Sequence, residues 1–213
     1  MEIAGTIPAA DQRSPFLQGD MLDALTGLGN RAVLDSQAYA PAALRRSVIL
    51  IDLDQFKAIN DTYGHTNGDR VLREVGRRLR TAAAPHLPVR LSGDEFAIVV
   101  GSAERAVCEA LAASVYDAIR EPIELDGSTL FLDAGVGIAL AHGELTLWEL
   151  VSRAGASILR LKRRGQLPRI VVYEDAQHGE ILDGTLIERP DEWWPRYRCP
   201  VASEVSALRG SLT

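Results

Sequence analysis

Residues 47–69 read SVILIDLDQFKAINDTYGHTNGD. The first six letters, SVILID, are an almost continuous aliphatic and β-branched run, which is typical of a central strand buried on both faces. Carboxylates appear where this run ends, at Asp52 and Asp54. A short helix is predicted to follow, from Gln55 to about Tyr63. The segment therefore predicts a buried strand that delivers acidic side chains to the start of a helix.

A second strand-rich segment, residues 89–100, reads VRLSGDEFAIVV. Its apolar ends flank the polar turn Ser92-Gly93-Asp94-Glu95. Two apolar runs around a short turn that contains glycine predict a β-hairpin.

The rest of the chain alternates helices and strands outward from these two segments. Helices are predicted over residues 30–41, 67–84, 102–120 and 146–164, and strands within residues 130–141 and 169–173. The order β-α-α-β-β-α-β-α-β predicts an α+β fold with a central, mostly antiparallel sheet covered by helices.

The domain organisation follows from length and pattern. With 213 residues, the chain has room for one domain and a tail. We expect a flexible leader or short helix over residues 1–20, one folded domain over 21–174 and an irregular C-terminal tail over 175–213. Within that tail, residues 191–200 read DEWWPRYRCP, which predicts either a docking element for a protein partner or a segment folded over its own domain.

Charge and composition exclude several function classes. The formal net charge is -6, whereas a protein that binds duplex DNA normally carries a basic stripe. No signal-peptide pattern and no apolar run of membrane-spanning length is present in the sequence. Cys108 and Cys199 lie far apart and are interpreted as free thiols of a reducing compartment. We therefore expect a cytoplasmic protein without a membrane segment and without DNA as a partner.

Carboxylates define the candidate site. Asp52 ends the first strand, and Asp94 and Glu95 lie in the hairpin turn, so the three converge if the two strands are neighbours. Carboxylates side by side raise each other's pKa, and a hard divalent cation removes that cost. Magnesium favours one or two carboxylates together with phosphate oxygens and water. The pattern therefore predicts phosphoryl or nucleotidyl transfer.

Polar residues around these acids fit a nucleotide. Lys57 and Lys162 are placed to reach phosphates. An Asn and an Asp facing one pocket, here Asn60 and Asp69, can read guanine through its ring N–H, its amino group and its other edge. Gly93 stands where a backbone approaches a phosphate without an intervening Cβ.

Each of these residues also has a purely structural explanation. Asp52 alone could be a helix N-cap. Gly93-Asp94 alone could be an ordinary hairpin turn, and Lys162 near a helix end could complement the helix dipole. The functional interpretation is favoured because all of these residues occur together in one chain and in this order.

From about residue 23 to residue 173 the chain resembles the GGDEF family of diguanylate cyclases, and four blocks carry the resemblance. DALTGLGNR (23–31) resembles the family's N-terminal turn, and IDLDQFKAINDTYGHTNGD (51–69) resembles its long central block. VRLSGDEFAIV (89–99) resembles the signature hairpin, and RAGASILRLKRRG (153–165) is a weaker match to the last block.

The resemblance implies a fold and an activity. The fold would be the palm-like architecture of nucleotidyl cyclases, with a ferredoxin-like core. The activity would be the condensation of two GTP molecules into cyclic di-GMP and two pyrophosphates at a homodimer interface, with Mg²⁺, or alternatively Mn²⁺, as cofactor. GTP and a second copy of the chain are thus the implied partners.

The resemblance also implies roles for individual residues. Asp52 and Asp94 would hold magnesium through their carboxylates and Leu53 through its carbonyl, while Asp94 or Glu95 would assist deprotonation of the attacking 3′-hydroxyl. Arg90 would pair with Asp23. The implied substrate-binding residues are Asn60, His65 and Asp69 at the guanine and ribose, Phe56 near the base, and Lys57, Lys162 and Gly93 at the phosphates.

The sequence departs from the family pattern at named positions. Ser92 replaces the first glycine of the signature; if this position needs a positive φ, serine is strained there, and otherwise little is lost. Gly155, Leu159 and Gln166 replace an Asp, a Tyr and an Arg of the last block. An alternative function is therefore a degenerate GGDEF module that binds GTP or a protein partner without turnover. A cyclase that uses another nucleotide is a further alternative.

Overall fold

The protein is described by a computed structural model over residues 19–37, 46–141, 145–164 and 169–173. The strands are β1 Ser47–Leu53, β2 Leu87–Ser92, β3 Glu95–Val100, β4 Ile123–Leu125, β5 Ser128–Leu130, β6 Ala134–Ala139 and β7 Ile170–Val172. The helices are α1 Arg31–Gln37, α2 Phe56–Tyr63, α3 His65–Ala82, α4 Arg105–Arg120 and α5 Leu147–Arg164, preceded by a 3-10 turn at Gly19–Met21.

The central sheet has five strands in the order β2-β3-β1-β6-β7. β1 pairs antiparallel with both β3 and β6, and β2 pairs antiparallel with β3. Only the pairing of β6 with β7 is parallel among the described strands. The α+β class and the mostly antiparallel sheet expected from the sequence are confirmed.

A separate two-stranded hairpin, β4–β5, is absent from the predicted element order. Each of its strands has three residues, which is too short for an alternating pattern to emerge. A local signal existed, because Asp126 and Gly127 form the turn with φ of +48° and +85°. Asp-Gly is a preferred pair for a hairpin turn with both φ positive.

Alternate residues of β1 pack into two hydrophobic layers, one on each face of the sheet. Ile49, Ile51 and Leu53 pack with α2, α3 and α4 on one face of the sheet. Val48 and Leu50 pack with α1 and α5 on the other face. Both faces of the strand are therefore covered, which explains why its sequence is apolar at nearly every position.

Two glycines of β6 let α5 lie very close to the sheet. A Cβ built at Gly137 would overlap the main-chain carbonyl oxygen of Ala154, and one at Gly135 would lie 2.9 Å from Cγ2 of Ile158. A larger residue at Gly137 would hold the helix further away, because it would meet the helix backbone. This close approach determines how far the side chains of α5 reach across the sheet.

A buried arginine joins α3 to α4. Arg78 is 6% exposed and forms an ion pair with Glu74 at 2.8 Å. Its guanidinium also donates to the main-chain carbonyl oxygens of Ala118, Ile119, Glu121 and Pro122. These carbonyls lie at the C-terminal end of α4, where helix carbonyls lack helical partners and a positive charge is favourable.

The predicted chain ends fall largely outside the described residues. Only residues 19–20 of the expected leader are described, and the expected tail over 175–213, with its DEWWPRYRCP segment, lies outside them altogether. None of the helices in the described ranges combines the length and apolarity needed to cross a membrane.

Candidate functional site

Strand register places four residues of the site in one row across the sheet. Asp52 of β1 lies opposite Glu95 of β3 on one side and Gly135 of β6 on the other. Ser92 of β2 lies opposite Glu95 across the hairpin. Side chains of directly opposed residues stand on the same face of a sheet. The convergence of Asp52 and Glu95 expected from the sequence is therefore a consequence of β1–β3 pairing.

The hairpin turn brings Asp94 to the same end of the strands as Asp52 and Glu95. The amide of Leu53 donates to the carbonyl oxygen of Asp94 over 3.2 Å, which fixes the turn against the end of β1. Gly93 takes the positive φ of the turn, +38°, and a Cβ built there would meet no heavy atom within 4 Å. Ser92 has no positive φ, so serine is not strained at the first position of the signature.

Ser92 contacts the most buried acid of the site. Its hydroxyl donates to Oε2 of Glu95 over 2.8 Å. Glu95 is 3% exposed, whereas Asp94 is only partly buried. A glycine at position 92 has no side chain with which to make this hydrogen bond.

Lys162 reaches the acids from α5. Its Nζ lies 2.7 Å from Oδ2 of Asp52 and 3.2 Å from Oδ1 of Asp54. A Cβ built at Gly135 would lie 3.7 Å from Cε of Lys162, so the lysine stem passes above that glycine. The lysine expected at the phosphates thus lies at the candidate metal ligand Asp52.

Burial and neighbouring charges together shift the pKa values of Asp52 and Lys162. Burial raises the pKa of Asp52, and the charges of Asp94 and Glu95 raise it further, against the lowering effect of Lys162. Burial lowers the pKa of Lys162, but its contacts with Asp52 and Asp54 outweigh burial and hold that pKa above its ordinary value. The pKa of Asp52 is raised because Lys162 does not offset burial and the neighbouring acids, so a further cation beside Asp52 would be favourable.

The donor set fits a magnesium ion that is shared with phosphates. In the described parts of the chain, no three His, Cys, Asp or Glu side chains form a cage that could hold a metal unaided. Asp52, Asp94 and the carbonyl of Leu53 instead offer two carboxylates and one backbone oxygen at a single sheet edge. Mg²⁺ typically takes one or two carboxylates and completes its shell with water and substrate phosphates.

A second group of charged residues supports Asp54 and was missed by sequence reasoning. Arg169 pairs with Asp54 at 2.6 Å and with Asp133 at 2.9 Å. The hydroxyl of Tyr116 donates to Asp133 over 2.9 Å. Asp54 was visible in the sequence as the second acid of DLD, but no pattern identified Arg169 or Asp133 as its neighbours.

The residues predicted to bind the base lie on α2 and at the start of α3. Phe56 is buried in the first turn of α2, and Lys57 beside it is exposed. A Cβ built at Gly68 would overlap Oδ1 of Asn60, so this glycine lets the asparagine lie against α3 directly before Asp69. Sequence reasoning missed this role of Gly68.

Two further predicted residues are exposed at the beginning of α3. His65 is its first residue, and Asp69 lies one turn further along. The α2–α3 junction thus brings the predicted guanine-binding residues into one region of the surface.

The predicted pair of Arg90 and Asp23 is confirmed. Arg90 Nη1 lies 3.2 Å from Oδ1 of Asp23, and the same guanidinium donates to the carbonyl oxygen of Gly93 over 2.9 and 3.0 Å. Burial alone would raise the pKa of Asp23, but hydrogen bonds from Thr26 and Arg90 hold it below its ordinary value. Arg90 therefore ties the turn that contains Asp23 to the hairpin turn.

Comparison with known proteins identifies the family that the sequence blocks resemble. Residues 20–167 match the family described as "Diguanylate cyclase, GGDEF domain". The bifunctional diguanylate cyclase/cyclic di-GMP phosphodiesterase MucR of Pseudomonas aeruginosa is 38% identical over 159 residues, which cover 71% of this chain and 23% of MucR. The chain spans about a fifth of the length of MucR and of two other curated relatives, from 20% to 23%.

Solved structures agree with this assignment. The GGDEF domain of DgcB from Caulobacter crescentus, in complex with c-di-GMP, superposes with a TM-score of 0.65 at 27% identity and covers 79% of this chain and 100% of the DgcB chain. The diguanylate cyclase SiaD of P. aeruginosa, in complex with its activator SiaC, also gives 0.65, at 29% identity, and covers 71% of this chain and 61% of SiaD. The chain belongs to the diguanylate cyclase GGDEF domain family.

Proposed function

We propose that this domain is a diguanylate cyclase, which condenses two GTP molecules into cyclic di-GMP and two pyrophosphates. The observation that carries the proposal is the register of Asp52 and Glu95 on neighbouring strands, with Asp94 in the adjoining turn. Family membership supports it independently. A domain that serves only as a docking platform has little use for this costly set of adjacent acids.

Magnesium would be held by the carboxylates of Asp52 and Asp94 and by the carbonyl of Leu53, and Mn²⁺ could replace it. When bound, the metal stabilises the negative charge on the reacting phosphates. The N–H of Leu53 donates to the carbonyl oxygen of Asp94, which holds the end of β1 next to the hairpin turn.

We call the strand ends that carry Asp52, Asp94 and Glu95 the acid edge. The nucleotide would lie between this acid edge and the α2–α3 junction. Asp69 accepts from the ring N–H and the amino group of guanine, and Asn60 complements its other edge. His65 lines the same pocket, and Phe56 packs near the base. Lys57 and Lys162 contact the phosphates. The open space around Gly93 supports an approach of phosphate to the backbone of the turn.

Catalysis requires a second copy of the domain, because one site holds one GTP. In the homodimer, the 3′-oxygen of each GTP attacks the α-phosphorus of the other. A new bond forms between O3′ and the α-phosphorus. The bond between that phosphorus and the oxygen that links it to the β-phosphate breaks, and pyrophosphate leaves. Asp94 or Glu95 assists removal of the hydroxyl proton. Holding the two nucleotides face to face supplies much of the rate.

A protein partner is a further part of this proposal. SiaD was solved with its activator SiaC, so a member of the fold family can be bound by a protein. For this chain, residues 191–200 remain the candidate docking segment.

The test is incubation of the purified protein with GTP and Mg²⁺, followed by chromatographic detection of cyclic di-GMP. Asp94→Asn keeps the shape of the side chain and should lower the rate by about a hundredfold or more. Asp117→Asn, an exposed acid on α4, is the matched control and should leave the rate unchanged. The rate per protomer should rise with protein concentration at low concentration, since the dimer is the active form.

Product from the wild type and from Asp117→Asn, but not from Asp94→Asn, would establish the cyclase. GTP binding without product, at protein concentrations that force dimer formation, would instead support the degenerate module.

A further inference from the structure

Glu95 is a buried acid with little to hold it in place. It is 3% exposed and lies beside Asp52 and Asp94, which are both acidic. Lys162, the nearby cation, pairs with Asp52 and Asp54. A buried carboxylate is costly unless a donor satisfies it. The orientation of the Glu95 carboxylate therefore depends on the hydrogen-bond donor that contacts it.

Ser92 supplies that donor. Within the part of the chain that the structure describes, its hydroxyl makes the one side-chain hydrogen bond to the Glu95 carboxylate, over 2.8 Å to Oε2. Ser92 is the last residue of β2 and lies opposite Glu95 in the strand register, so the backbone brings the two side chains together. The contact thus follows from the hairpin itself.

We propose that Ser92 is a positioning residue for Glu95. Its hydroxyl holds Oε2, which keeps the carboxylate in one orientation beside Asp52. This inference rests on the proposed cyclase function. It reverses the simple expectation for the variant signature, because Ser92→Gly removes a functional contact instead of repairing a defect.

The expected effect is a loss of turnover with little change in substrate binding. Losing a hydrogen bond to a charged group should lower kcat by about tenfold, which corresponds to about 1.4 kcal/mol. Ser92→Gly and Ser92→Ala should both show this loss, with KM for GTP changed by no more than about twofold. Ser92→Thr keeps a hydroxyl at an exposed strand position and should retain the activity of the wild type.

Two controls separate positioning from a general effect on the hairpin. Ser128→Ala removes an exposed strand serine far from this contact in the sequence and should leave kcat unchanged. In a double-mutant cycle, Ser92→Ala should have no further effect once Glu95→Gln has been introduced, because the two changes act on one contact. Thermal unfolding of every variant confirms that the domain is folded.

A second measurement does not need turnover. The affinity of the GTP-loaded protein for Mn²⁺, measured by electron paramagnetic resonance, should fall at least about threefold in Ser92→Ala and Ser92→Gly and stay unchanged in Ser92→Thr, because Glu95 lies directly opposite the candidate ligand Asp52. If the wild type makes no product but these affinities change as stated, the cyclase proposal fails and the positioning role stands.

Equal or higher activity of Ser92→Gly would overturn the positioning role, as would a loss in Ser92→Thr equal to that in Ser92→Ala. An unchanged Mn²⁺ affinity in all three variants, together with no turnover in the wild type, would overturn both proposals.

Discussion

Replacement of Gly137 by alanine tests whether α5 lies as close to the sheet as the structure indicates. Gly137 lies in the middle of β6, and it has no positive φ that would itself disfavour alanine. The new Cβ would overlap the carbonyl oxygen of Ala154 and lie 3.1 Å from Cγ1 of Ile158. A backbone carbonyl inside a helix cannot rotate away, so α5 must shift outward as a unit.

The size of the effect follows from two opposing contributions. Overpacking a well-filled interior costs about 1–3 kcal/mol, and a rigid backbone contact places this case at about 2–3 kcal/mol. Alanine is favoured over glycine in a strand interior by about 0.5–1 kcal/mol. The net destabilisation is therefore about 1–2.5 kcal/mol. For a domain of this size, this lowers Tm by about 2–10 °C.

The assay is thermal unfolding followed by circular dichroism, with two matched glycine variants. In Gly135→Ala, the new Cβ meets the end of the Ile158 side chain at 2.9 Å, which can move, so the loss should be smaller. In Gly101→Ala, the new Cβ meets nothing within 4 Å, and no loss is expected. If Gly137→Ala unfolds at the same temperature as Gly101→Ala, the reasoning about the close approach of α5 is refuted.

Two further predictions concern charged residues outside the acid edge. Hydrogen bonds from Arg77 and Arg78 lower the pKa of Glu74 to about 2, from an ordinary value of 4.5, so its contribution to stability is full above 4.5 and is lost as the pH falls towards 2. The free energies of urea unfolding of the wild type and Glu74→Gln should therefore differ most at neutral pH and converge over that window; a constant difference would contradict this linkage. Asp23→Asn keeps Oδ1, which accepts from Thr26 and Arg90, but it removes the negative charge and replaces Oδ2 by an amide NH₂ that cannot accept from Arg90. It should cost about 1–2 kcal/mol in the same assay, whereas exposed Asp117→Asn should cost nothing measurable.

Much of the fold could be predicted because its signals are local. The apolar run of β1 and the polar turn between β2 and β3 each occupy fewer than about ten residues, and periodicity or turn chemistry identifies them. Once those strands pair, Asp52 and Glu95 become neighbours by register, and the acid edge of the site follows. The hairpin β4–β5 was missed because three residues are too few to show a period.

The sequence by itself thus determined the fold class, the family and the candidate acids, while the tertiary structure decided which side chains hold those acids. Lys162 meets Asp52 across 110 positions of the chain, and Arg169 meets Asp54 across 115. Such contacts depend on where α5 and β7 pack against the sheet, which Gly137 and its neighbours set through the distance between helix and strand. The hydrogen bond from Ser92 to Glu95 joins residues that are only three positions apart in the sequence. It nevertheless depends on the orientation of the two side chains within the hairpin, which residue spacing does not encode.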